Sequence, residues 1–154
     1  MADKEKNKGK YMISILGEQI LDDDSDRIEV LTEGNFLMKK DHCYIGYKEY
    51  DEDAPQSFYD NLIKVQGDVV TITRKGAMRS QLMLEKGKRH QCLYHTPAGD
   101  LMIGVFTKTM NNSLSKKGGT LEVSYTLDFN NDLVSENKFK ITVEEKEKFE
   151  NEVD

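Results

Sequence analysis

Apolar and polar side chains alternate with a period of two along nearly the whole chain, the pattern of strands with one buried and one wet face. In GGTLEVSYTLDF, Leu121, Val123, Tyr125, Leu127 and Phe129 alternate with Glu122, Ser124, Thr126 and Asp128. Asn130-Asn131-Asp132 is turn chemistry, and LVSENKFKITV then resumes with Leu133, Phe139, Ile141 and Val143 in the apolar register. These two segments predict a long hairpin. IKVQGDVVTITRKG predicts a second, with Gln66-Gly67-Asp68 between Ile63, Val65 and Val70, Ile72. QLMLEKGKRHQCLYHTPAGDLMIGVFT holds three further runs, joined at Lys86-Gly87-Lys88 and at Thr96-Pro97-Ala98-Gly99-Asp100.

The front half carries the same pattern with less contrast. Ile13 and Ile15 head a strand ending near Ile20, Ile28 to Phe36 form another, and Leu37 turns at Lys39-Lys40-Asp41 into Cys43, Ile45 and Tyr47. Asp51 to Ser57, with Pro55, is the one long loop in the pattern. About ten strands with short connections and no amphipathic helix predict an all-β fold, an antiparallel up-and-down β-barrel whose closure removes exposed sheet edges. An open two-sheet sandwich is the alternative. The tail TVEEKEKFENEVD has no apolar stripe beyond Phe149 and Val153 and is expected to prolong the last strand and fray.

Composition narrows the class without naming a function. The 154 residues fit one core, expected as a disordered polar lead-in at 1–10, a barrel at 11–143 and an acidic tail at 144–154. Mean hydropathy is -0.68. No apolar run has the length of a spanning helix, and the start MADKEKNKGK has no apolar region of a secretory signal behind it, so a cytoplasmic location is expected. Cys43 and Cys92 are expected to be reduced and half-buried. The net charge is -6 and the pI about 5.2, which argues against nucleic acid as a partner. Charge is uneven nonetheless. Seven acids stand against Arg27 between Glu18 and Glu33, and six bases against Glu85 between Arg74 and His90.

The order TRKGAMRSQLMLEKGKRHQCLYHTPAGDLMIGVFT, GGTLEVSYTLDFN and LVSENKFKI resembles the YwiB-like family of small bacterial proteins, a domain of unknown function assigned to the calycin-like β-barrels. The resemblance runs from ISILGEQ to FKITV. It implies a lipocalin-like barrel and no activity that can be carried over, and lipocalin relatives that hold apolar ligands do not license that function here.

Candidate chemistry therefore comes from single sites. DDDSDRIEVLTE spaces Asp22, Asp24, Asp26 and Glu33 like a calcium loop, but Arg27 stands where glycine is needed and the flanks are strands, so a solvated turn is expected. His90, Cys92 and His95 do not make a zinc set, because His95 faces away from the other two in a strand. No Gly-x-Ser-x-Gly elbow is present, and the reading leans away from an enzyme, with no catalytic residue, cofactor or metal assigned. TRKGAMRSQ, Thr73 to Gln81, reads as a hairpin corner with charged shoulders rather than an anion-gripping loop.

Register singles out Arg74. If Val70 and Ile72 face the interior, so does Arg74, and an inward Leu133, Phe139 and Ile141 would bring Ser135 and Asn137 with them. His90, Cys92, Tyr94 and Thr96 share a face that is inward unless Leu93 claims the interior. An unpaired buried guanidinium is costly, so Arg74 needs an internal acid, a bound anion or a place at the rim. The candidate ligand contacts are Arg74, Ser80, Tyr94, Thr96, Ser135 and Asn137. Two function classes follow: a non-enzymatic binder of a small apolar or anionic molecule, walled by Ile13, Ile15, Val70, Ile72, Val123 and Tyr125, or a protein-interaction module with a filled core. Met78, Met83, Met102 and Met110 suit either interior.

Overall fold

Asn130 and Asn131 both adopt positive φ, 51° and 70°, as a type I′ hairpin corner requires, and Phe129 pairs with Asp132 across them. That corner joins the last two of ten antiparallel strands: β1 (Tyr11–Leu21), β2 (Asp24–Met38), β3 (Cys43–Tyr50), β4 (Phe58–Gln66), β5 (Val69–Lys75), β6 (Ser80–Glu85), β7 (Arg89–Thr96), β8 (Gly99–Asn112), β9 (Gly118–Phe129) and β10 (Asp132–Glu145). A computed structural model of the chain describes residues 11–50, 57–76, 79–147 and 149, without the side chain of Thr96. The lead-in at 1–10, most of the Pro55 loop at 51–56, Met78, and tail positions 148 and 150–154 lie outside the described residues.

Each strand pairs with its sequence neighbours, and β1 closes on β10 to complete a barrel. The closing ladder sets Ile13 opposite Val143 and Ile15 opposite Ile141. Because side chains alternate, one face of every strand turns inward. Ile13, Phe36, Ile45, Ile63, Val65, Val70, Leu84, Leu121, Ile141 and Val143 are buried there and pack the end at which β1 begins. Cys43 and Cys92 are free thiols, fully buried rather than half-buried. Met110 is buried in the core, whereas Met83 and Met102 are exposed.

Two seams are thinner than the rest. β2 pairs with β3 only from Gly34 to Met38, so Asp24 to Glu33 pair with β1 alone. Among the described residues that edge carries Asp24, Asp26, Glu29 and Glu33 against Arg27, which pairs with Glu29 at 3.5 Å, and a predominantly acidic edge deters strand addition by another copy. Between β6 and β7 the ladder holds a single pair, Ser80 with Tyr94, and the Met83 amide donates to Cys92 Sγ at 3.4 Å.

The register expected for the last strand needs one correction. A bulge between Leu133 and Ser135 shifts the pairing, so Leu133 sits opposite outward-facing Asp128 and is 63% exposed. Ser135, Asn137, Phe139 and Ile141 keep the inward face. β10 runs to Glu145, and positions 146, 147 and 149 are helical rather than extended, with Lys146 2.6 Å from Glu33. Among the described residues no helix is long and apolar enough to cross a membrane, which says nothing of a barrel.

Outside the barrel, Arg89 reaches over β8 to Asp128 of β9 with two hydrogen bonds, Nε to Oδ2 at 3.0 Å and Nη2 to Oδ1 at 2.6 Å. Gly104 lies beneath, where a Cβ would fall 2.4 Å from the guanidinium. The Arg89 bond holds the Asp128 carboxyl below the usual carboxylate range. A depressed folded value contributes stability above the unfolded value, about 3.9, that is lost as pH falls through the folded one. Asp128→Asn is expected to flatten the acid limb of urea midpoints measured below about pH 4. An unchanged limb would show that the fork adds nothing to acid stability.

Candidate functional site

The interior divides by chemistry along the barrel axis. Polar side chains gather at the end where β3, β5, β7 and β9 finish, opposite the apolar end. The strand alternation that makes Ile63 and Val65 face inward does the same for Asn61, and Val70 and Ile72 do so for Arg74. Asn61 pairs directly with Arg74 on one side and with Tyr47 on the other, and Arg74 pairs onward with Ser80 and Ser80 with Tyr94. A continuous row of polar groups thus crosses five strands.

Arg74 sits at the rim with its side chain 41% exposed, and it is not unpaired. Its Nη2 donates to Glu49 Oε2, and its guanidinium lies 4.0 Å from the centre of the Tyr59 ring. Glu49 and Tyr59 are themselves cross-strand partners, so one neighbouring pair supplies both the acid and the stacking face. Gly76 backs the ring, since a Cβ there would fall 2.5 Å from it.

Among the described residues, two buried side-chain nitrogen donors remain without a partner. Asn61, 6% exposed, has no hydrogen bond at Nδ2, and the neighbouring Arg74 has none at Nε. Each buried donor left unmet costs about 1–3 kcal/mol. Burial, reinforced by the Glu49 charge and opposed by Arg74, pushes the Tyr47 phenol up to about 12, so it stays protonated at neutral pH. Burial likewise raises the phenols of Tyr94 and Tyr125, and the Tyr94 charge adds to the rise at Tyr125.

The residues singled out by register fall into two groups. Arg74, Ser80 and Tyr94 stand side by side on β5, β6 and β7, with Thr96 two positions beyond Tyr94 on the same strand; the Thr96 side chain lies outside the described residues. Ser135 and Asn137 are on β10, where Asn137 Nδ2 donates to Ser135 Oγ at 2.9 Å. Among the described residues no hydrogen bond joins this pair to Arg74. Buried Cys92 and exposed Leu93 settle the face of β7 in favour of Tyr94 pointing inward. Glu49, Tyr59 and Asn61 were not among the expected contacts. The register that exposes Arg74 also points to all three, since Asn61 and Tyr59 alternate with Ile63 and Val65, and Glu49 with Cys43, Ile45 and Tyr47.

His90, Cys92 and His95 do not converge. His90 hydrogen-bonds Glu85 at 2.9 Å and His95 turns outward to Asp100 at 2.7 Å. The open β6–β7 seam forms a surface pocket of about 380 Å³ lined by Ser80, Met83, Cys92 and Leu93 among others.

Residues 13–141 match the family described as Domain of unknown function (DUF1934). The chain is 23% identical over 123 residues to the "Uncharacterized beta-barrel protein YwiB" of Bacillus subtilis (strain 168), covering 78% of this chain and 84% of that protein. It also superposes on the crystal structure of the ywiB protein from Bacillus subtilis with a TM-score of 0.76 at 19% identity, over 92% of this chain and 97% of that one. At that identity the likeness is one of fold.

Proposed function

The chain belongs to the family of the domain of unknown function DUF1934, and from that premise we propose that it is a non-enzymatic binder of a small molecule at the polar end of its barrel. One observation carries the reading: among the described residues, Asn61 Nδ2 and Arg74 Nε, on cross-strand partners, are buried donors without acceptors. Native barrels leave few such groups, and a ligand acceptor admitted by a side-chain shift at the rim would satisfy them. The half-buried apolar residues Ile15, Ile72 and Tyr125 are suited to its body, with Ser80, Tyr94, Ser135 and Asn137 as further polar contacts. Outward strand faces that carry Lys64, Glu122, Lys138 and Lys140, together with two free thiols, fit a cytoplasmic location better than a lipid-facing band. The free acidic edge of β2 favours a second reading, a protein-interaction module that meets a basic partner there.

Arg74→Ala is expected to weaken ligand binding about tenfold or more, while costing no more than about 1 kcal/mol of stability because the Glu49 pair is well solvated. Native mass spectrometry of gently purified protein, followed by thermal shifts of both variants, measures the two effects. Protein that carries no small molecule and shifts with none of a broad metabolite panel would sink the ligand reading.

A further inference from the structure

Arg74 does not bring a free positive charge to the site. Its Nη2 is held by the Glu49 carboxylate, and the pair is formally neutral. The nearest lysines along the chain do not change this balance: Lys48 stacks on Phe58, 4.7 Å from the ring centre, and Lys75 is exposed in the alternate register of β5. A carboxylate or phosphate placed against Arg74 Nε would lie beside Glu49 and be repelled by it, with its lost hydration uncompensated.

The donors and acceptors around Arg74 suit a different complement. Arg74 Nε and Asn61 Nδ2 each have a proton to give, and a carbonyl oxygen has two lone pairs to receive them. Glu49 has acceptor capacity beyond its bond to Arg74, which an amide N–H can use. Tyr47, held protonated by burial, supplies a hydroxyl and no further charge.

From this geometry we infer that the ligand's head group is a neutral carboxamide, its C=O on Asn61 and Arg74 and its N–H on Glu49, rather than an anion. The inference rests on the ligand-binding reading and narrows it, replacing an anionic head with a neutral one. Glu49 thereby becomes the residue that sets specificity: it excludes acids by repulsion and accepts amides by hydrogen bonding.

Benzamide and benzoate, matched in shape and differing in charge, test this by isothermal titration at pH 7 together with the NMR signal of the Asn61 side-chain amide. The wild-type chain is expected to bind benzamide about tenfold more tightly than benzoate. Glu49→Gln leaves Arg74 with an unmatched charge and is expected to raise benzoate affinity about tenfold, while Asn61→Leu lowers benzamide affinity by about as much. Wild-type preference for benzoate, or a benzoate affinity untouched by Glu49→Gln, would overturn the neutral head group and leave the binding site standing. If neither probe binds or moves the Asn61 signal at millimolar concentration, the binding site falls with it.

Discussion

Gly118→Ala is expected to destabilise the barrel by about 3–5 kcal/mol, because the added methyl meets both an unfavourable φ and fixed backbone. Gly118 opens β9 with φ at +112°, a conformation that L side chains rarely adopt, and a Cβ there would fall 2.3 Å from the Val143 carbonyl oxygen of β10. The obstacle is backbone, held by the paired strands on either side, so it cannot swing away as a side-chain tip would. Gly118 also exchanges two hydrogen bonds with Ser115, its amide donating at 3.0 Å and its carbonyl accepting at 2.8 Å, which hold the corner in place. Relief would require β9 to lift from β10 next to Leu121 and Ile141, in the packed half of the core. Gly17 is the control, since a Cβ there meets nothing within 4 Å and its φ is ordinary for a strand. Gly17→Ala should stay within about 0.5 kcal/mol of wild type. Urea unfolding of both variants measures the contrast, and a Gly118→Ala loss below about 1 kcal/mol would mean that the corner yields.

Asn61→Leu is expected to act in the opposite direction and raise stability by about 1–2 kcal/mol. Leucine has nearly the shape of asparagine and no donor to leave unmet, and the position lies next to Ile63 in a face that is otherwise apolar towards the packed end. The same substitution removes half of the donor pair on which ligand binding rests. Gain in stability with loss of binding is the signature of a group kept for function at a cost to the fold. A structural role for Asn61 would give the reverse, a loss of stability and a ligand affinity that does not change. Thermal melting and titration of one variant therefore separate the two roles.

Much of this protein can be read along the chain, and the limits of that reading have physical causes. Leu121 to Phe129 reveal a strand because alternation is a property of consecutive residues, and Asn130-Asn131 reveal a corner because those side chains tolerate positive φ. Arg74 could be placed on the inner face by counting from Val70. Leu133 could not be placed, because the bulge before Ser135 reverses the count without any mark in LVSEN. Leu93 obscured the face of β7, since an exposed leucine and a buried one look alike until the neighbouring strands are in position.

The amino-acid sequence by itself determined the strands, their corners, the all-β class and the inward face of most strands, because each of these is set by residues within a few positions of one another. Tertiary structure alone decided that β10 closes on β1, that β6 and β7 barely pair, and that Arg74 meets Glu49 and Tyr59 while leaving its Nε beside Asn61 without an acceptor. Those relations join residues from different strands, and the register between strands is a collective outcome of closing the whole ring rather than of any local run.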